Sequence, residues 1–414
     1  MSRPPLFAPF SGYLIRDDFA SRVIAGAYDA KSPEERRRIV EGNKLSYLGV
    51  TRSREDVAEG DMATDDELLQ RGADTLSLII NSGAFSATGR PALYAYRLTF
   101  AGHAQTGVVG AMHIDGLSDG RVLTHENVRP NRARHLGRHL QWVGASSSPI
   151  ALTHRTNPGV AAIIQAATER DTDVDHVVEE VRHQVWTLEP GESAAVADLL
   201  AEAVVYVTDG HHRSAAALAG AEGREEPSFK RTLAVLFPDD ALRVEAFHRR
   251  CHDTQNRDAD SLATALSEVG ELTEVFSPEE ARPQHVGEVG VYHQHRWWRL
   301  VLDPVERDGA LAQLDVERLR RDVIGHVLGV DELIPDSGVD YVPAPSGLDE
   351  VVRRCDGDNR VGFLMHPTSV DDLMAVADAH ELMPPKSSYV APKPRSGIFL
   401  RVLGVGATEG LAPS

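Results

Sequence analysis

Cysteine is nearly absent: only Cys251 and Cys355 occur in 414 residues. Two cysteines cannot build a disulfide framework or a cysteine-based zinc centre, and their scarcity fits a reducing cytosol. Basic charge is also short. Lys+Arg number 43 against 62 Asp+Glu, a formal net charge of −19, whereas a protein that coats nucleic acid by displacing counterions needs a basic face. The deficit still leaves room for a small basic pocket in an acidic body. Long apolar runs are missing too, since stretches such as Val204–Val207 fall far short of the ~20 residues of a membrane helix. The opening MSRPPLFAPFSG is Pro-rich and has too short an apolar run for a signal peptide. These absences together predict a soluble, cytoplasmic protein with no nucleic-acid and no membrane partner. What is present is ordinary for a folded chain, 42% hydrophobic and 25% charged residues, and the length predicts two to three domains at ~150 residues each.

No period of 20–50 residues repeats, which removes solenoids and propellers. The pattern divides into an N-terminal α/β region over 1–105, a core over 106–235 and a C-terminal α/β region over 236–414. In the first, Ser32 is expected to cap a helix that opens at Pro33, Asp65–Asn81 is an amphipathic helix, and Pro91–Phe100 alternates as a strand. In the core, Gly107–Asp115 and Arg121–Glu126 read as strands separated by a turn at Ser118–Gly120. Helices are expected near Asn131–Val143, Gly159–Thr168, Val174–His183 and Glu192–Ala203. Then AVVYVTDG runs as a strand into the helix HHRSAAALAGA. The last region has a strand at KRTLAVLFPDD, a hairpin over Val289–Asp303, a helix after Asp315, a strand at Arg360–Pro367 and a helix over Val370–His380. Strands alternating with helices imply a mixed α/β (α+β) fold with some parallel pairing.

The strongest local signal is VVYVTDGHHRSAAALAGA, Val204–Ala221. A β-branched strand stops at Asp209-Gly210 and an alanine-rich helix opens at once. The free N–H groups of His211, His212 and Arg213 then lie at a helix N-terminus, where unpaired donors and the helix dipole attract anions. Gly210 allows a sharp turn and close approach of a ligand. Arg213 can fork onto a phosphate, and Asp209, with His212 beside it, is placed to hold a metal or take a proton from a hydroxyl. A stability-only account makes Asp209 the N-cap. Two histidines and an arginine at that terminus are poorly explained by stability, because cations sit badly there.

Two further segments carry candidates. In LTHENVRPNRARHLGRHL, Glu126 precedes a helix bearing Arg129, Arg132, Arg134 and Arg138. It reads either as an acid/base or metal-side carboxylate or as a helix-start carboxylate on a charged face. His135 and His139 have zinc-protease spacing without the required glutamate. In MPPKSSYVAPKPRSG, prolines stiffen a loop in which Lys386, Lys393 and Arg395 either clamp an anion or belong to a rigid crossing that packs Tyr389. GLSDG matches the nucleophile-elbow pattern, but strand character follows Ser118 where a helix is needed. GVGATEG near the end opens no helix after a strand and is no dinucleotide fingerprint.

YVTDGHHRSAAAL resembles the DGHHR segment of the domain-of-unknown-function 1015 (DUF1015) family. The likeness extends through PFSGYLIR, AGAYDAKSPEE, PALYAYRLTF, LTHENVRP, RTLAVLFPDD, LDVERL and MPPKSSYVAPKPRSGIFLR. The same segment is similar to the phosphate-binding strand–turn–helix of ParB/sulfiredoxin-like proteins, a group that includes free-serine kinases. The resemblance implies a ParB/sulfiredoxin-like core with N- and C-terminal α/β extensions. Asp209 matches the motif aspartate of the serine kinases, and Glu126 is the candidate for their upstream glutamate, across an apparent insertion. No cysteine stands at His211 or His212, which disfavours sulfinic-acid repair. The family's usual aromatic after the motif arginine is Ser214 here, at the expected pocket wall.

The implied function is a small-molecule kinase using ATP, ADP or another nucleotide with Mg²⁺. Asp209, Glu126 and His212 would be catalytic, and Asp209 and Glu126 would face the metal. Gly210, His211, His212, Arg213, Ser214, Lys386 and Lys393 would hold the nucleotide. A serine-like amino acid is the first acceptor to try. The alternatives are a nucleotide-binding regulatory switch and a nucleotide hydrolase.

Overall fold

Residues Arg231–Pro238 show why the chain forms a sheet covered on both faces. In this strand Leu233, Val235 and Phe237 join one hydrophobic cluster while Ala234 and Leu236 join another, as the two-residue period of a strand requires. The computed structural model describes residues 3–26, 28, 31–51, 53–58, 60–304, 309–334 and 337–404. The chain separates into two units. The first comprises Met1–Leu123, Val128–Leu242 and Pro392–Ser414, the second Thr124–Asn127 and Arg243–Ala391.

The first unit is built on a nine-stranded mixed sheet. Its order is Val122–Leu123, Val205–Asp209, Ile150–His154, Arg231–Pro238, His103–His113, Tyr94–Phe100, Val181–Thr187 and Val174–Val178, with Phe7–Ala8 also paired to His103–His113. Two pairings are parallel, Val205–Asp209 with Val122–Leu123 and Arg231–Pro238 with Ile150–His154. One face receives Val40 from the helix Pro33–Gly42 and Leu76 and Ile79 from Asp65–Asn81. The other receives Val160 and Ile164 from Pro158–Thr168 and Val196 from Pro190–Leu199. The helices begin where capping chemistry dictates: Ser32 with Glu35, and Thr64 with Glu67, form reciprocal capping boxes.

The second unit carries an antiparallel six-stranded sheet in the order Gly270–Val275, Arg296–Leu302, Glu288–His293, Val361–Met365, Phe247–Cys251 and Asp340–Pro343. Its expected hairpin closes on Gln294 and His295, both at positive φ, the two-residue turn that matches strand twist. The helix after Asp315 continues as a π-helix over Leu319–Val327. Both cysteines are free and buried, and Trp297 and Trp298 are both core residues. No helix among the described residues is long and apolar enough to cross a membrane.

Three expectations need correction. Val174–His183 is not a helix but two antiparallel strands, Val174–Val178 and Val181–Thr187, joined at Glu179 and Glu180 with φ of 49° and 66°. Ser118 lies in a one-turn helix, Gly116–Asp119, that Gly120 ends at positive φ, so no long helix follows it. The strand expected over Arg121–Glu126 is only Val122–Leu123. Asp29, Ala30 and most of GVGATEG lie outside the described residues.

Candidate functional site

The strand Val205–Asp209 is buried and pairs antiparallel with Ile150–His154, but its register breaks between Val207 and Asp209. The residue at the break, Thr208, is only 5% exposed, and its hydroxyl has no hydrogen-bond partner among the described residues. Gly210 follows at φ +98° and is the N-cap of the helix His211–Ala221, with no side-chain cap. The backbone conformation demands glycine, and a Cβ at Gly210 would lie 2.9 Å from the Arg213 guanidinium and displace it. The helix settles against Pro130–Val143 through the close approach of Gly137 and Gly220, where a Cβ on Gly137 would lie 2.8 Å from Gly220 N.

Asp209 therefore does not cap the helix: the N-cap is Gly210, without a side-chain cap. The N–H groups of His211, His212 and Arg213 precede the first intrahelical bond, Ser214 N to Gly210 O at 2.9 Å, and they point out of the helix as donors. Ser214 is buried and its hydroxyl donates to His211 O at 2.8 Å, a hydrogen bond made inside the helix.

Both carboxylate oxygens of Asp209 meet cations. Lys393 Nζ lies 2.5 Å from Oδ1, and Arg213 Nη2 donates to Oδ2. Arg213 Nη1 donates to Pro149 O, so its fork is turned onto Asp209 and a carbonyl. The side chains of Lys393 and Asp209 are 13% and 17% exposed. Burial pushes the Asp209 carboxyl up, but Lys393 and Arg213, with His211 behind them, outweigh it and hold the group well below the usual carboxylate range. Two cations thus meet one carboxylate beside a helix N-terminus with no side-chain cap, a combination that can attract an anion.

Asp209, Gly210, His211, His212, Arg213, Ser214 and Lys393 all belong to the first unit, and Glu126 and Lys386 to the second. Glu126 is half-buried. Its neighbour His125 accepts Met383 N at its carbonyl, 2.8 Å away, and its Nε2 lies 3.5 Å from Ser388 Oγ. The Lys386 ammonium stands 5.4 Å from the Phe247 ring centre. Arg129 and Arg132 are exposed. His139 is a structural histidine: its Nε2 lies 2.7 Å from Val50 O, and burial lowers its pKa. Sequence reasoning placed Lys393 among the phosphate clamps but did not find its partner, and it missed Thr208. A threonine inside a β-branched run gives no sign that the register will break there.

Residues 7–317 match the family model described as "Protein of unknown function (DUF1015)". A search of curated proteins finds no match. Similar solved structures include a free serine kinase in complex with AMP, 15% identical with a TM-score of 0.35, covering 70% of this chain and 91% of that one. A conserved hypothetical protein from Pyrococcus furiosus is 15% identical with a TM-score of 0.35, covering 70% and 94%. SbnI with a C-terminal truncation, from Staphylococcus aureus, is 11% identical with a TM-score of 0.37, covering 73% and 90%.

Proposed function

The chain belongs to the DUF1015 family, and from that premise we propose that it is a nucleotide-dependent phosphotransferase acting on the hydroxyl of a small metabolite, with a serine-like amino acid as the first acceptor to try. One observation carries the reading: Lys393 and Arg213 share Asp209 at the uncapped start of the helix His211–Ala221. The N–H groups of His211, His212 and Arg213 hold the nucleotide's phosphates. A phosphate carries more charge than a carboxylate, so it draws Lys393 and Arg213 onto itself. Asp209 is thereby relieved of both cations and regains basicity when the acceptor hydroxyl arrives. The hydroxyl oxygen attacks the terminal phosphorus, a new P–O bond forms, and the hydroxyl proton passes to Asp209. The bond to the nucleotide's bridging oxygen breaks, and its electron pair leaves with the shortened nucleotide. The roles of Glu126 as second carboxylate and of His212 as a catalytic group rest on sequence context and family resemblance.

Mg²⁺ enters as part of the nucleotide substrate. Both oxygens of Asp209 are taken by cationic side chains, so Asp209 itself offers no vacant oxygen to a divalent cation, and no step is routed through one. The low basicity of Asp209 favours one further reading, a switch that binds nucleotide without turnover. The test is incubation with ATP, ADP, CTP or GTP, Mg²⁺ and a panel of hydroxylated metabolites, followed by phosphorus NMR. A phosphorylated acceptor is the expected outcome. Phosphate release without an acceptor marks a hydrolase, and binding with neither product leaves the switch.

A further inference from the structure

Lys393 reaches Asp209 from a loop, and a cation on a loop keeps its position only if the backbone beneath it is held. Segment 392–397 is tied down on both sides of Lys393. Gln105, fully buried, donates Nε2 to Pro392 O at 2.8 Å. The Tyr96 hydroxyl, also buried, lies 2.8 Å from His183 Nδ1. Arg395 Nη1 meets Glu179 at 2.8 Å, and Gly397 N donates to Ser147 Oγ at 2.8 Å.

Gln105 and His183 both pair with Leu98, and Tyr96 stands two residues from it. All three polar side chains therefore rise from one face of the sheet, among apolar neighbours such as Val109, Val185 and Phe399. Polar groups in such a layer cost stability unless they are bonded. Apolar side chains would fill this layer without that cost, yet Gln105 directs a hydrogen bond to the loop.

We propose that Gln105 is a positioning residue for Lys393, acting through the loop backbone to keep its ammonium on Asp209. Only the importance of that ion pair for phosphate binding rests on the preceding reading. The test is sub-stoichiometric acylation with an N-hydroxysuccinimide ester, read by peptide mass spectrometry as the ratio of Lys393 to exposed Lys230 labelling. Gln105→Met keeps the length of the side chain and removes the donor. It is expected to raise the ratio about tenfold, the factor that one lost hydrogen bond allows. Gln105→Glu is the conservative variant: a carboxyl buried in this layer stays protonated at neutral pH and donates to Pro392 O, so the ratio stays near that of the wild type. Tyr96→Phe, which removes a buried oxygen bonded to His183, leaves the ratio unchanged. An unchanged ratio in Gln105→Met overturns the proposal, as does an equal rise in Tyr96→Phe or a uniform rise at all lysines, which marks general loosening. The labelling needs no nucleotide, so its failure and that of the phosphotransferase reading are separately visible.

Discussion

His183 offers a quantitative test of how this sheet is built. It is fully buried, and burial, reinforced by Arg395 and His176, lowers its pKa from 6.5 to about 3. The folded protein thus refuses a proton that the unfolded chain accepts below pH 6.5. The unfolded state binds more protons through this window, so stability is fully present above the unfolded pKa and is lost as the pH falls toward the folded one. Each pH unit below 6.5 costs about 1.4 kcal/mol, which makes about 2 kcal/mol by pH 5 from this residue alone.

The assay is urea unfolding at several pH values between 8 and 5, on the wild type and on His183→Gln, which keeps an acceptor for the Tyr96 hydroxyl but does not titrate. Other buried histidines, such as His248 with a pKa lowered to about 4, contribute equally to both proteins and cancel. The wild type should lose about 2 kcal/mol more than the variant between pH 8 and pH 5. Parallel losses would refute the reasoning, because they would mean that His183 titrates normally and is not held neutral beneath the loop.

Other outcomes concern the site. Asp209→Asn should abolish turnover in the phosphorus NMR assay while leaving nucleotide affinity by calorimetry within a few fold, since the cations and helix donors remain. Arg213→Ala should weaken the nucleotide by roughly ten- to a hundredfold, the worth of a charge-assisted fork; unchanged affinity would mean that the phosphates lie elsewhere. Gly210→Ala meets both a φ of +98° and a guanidinium 2.9 Å away, and thermal melting should show a loss of about 1–3 kcal/mol.

Local signals were legible and long-range ones were not. The helix Asp65–Asn81 falls on the expected residues because a threonine cap, an acidic first turn and an apolar stripe agree. Val174–His183 failed for a definite reason. Val174, Val177, Val178 and Val181 stand at helical i, i+3, i+4 and i+7 spacing, yet the same residues fit a hairpin when Glu179 and Glu180 turn the chain. The fold resolves the ambiguity by leaving Val177 59% exposed, where a helix would have buried it. At the site, the strand–Asp–Gly–helix run was readable because its geometry is local. The partner of Asp209 lies 184 residues further on, and no periodicity links residues so far apart.

The charge balance ties these observations together. An acidic total of −19 repels a polyanion at long range, but that field is screened beyond about 8 Å at physiological salt, so a small anion near the site responds to the groups beside it. There two cations face one carboxylate, and the pair Lys393–Asp209 is largely withdrawn from water, where charges are screened least. Without ligand, the same two cations that would bind phosphate suppress the basicity of Asp209, so an acceptor hydroxyl that arrives first finds a poor base. On the proposed reading, a phosphate that arrives first would take the cations and release the base. Anion binding and base activation would then be one exchange of partners, ordered by the charges. The loop anchors matter for the same reason: if Lys393 is free to leave Asp209 unaided, the base is unmasked without the phosphate, and the ordering is lost.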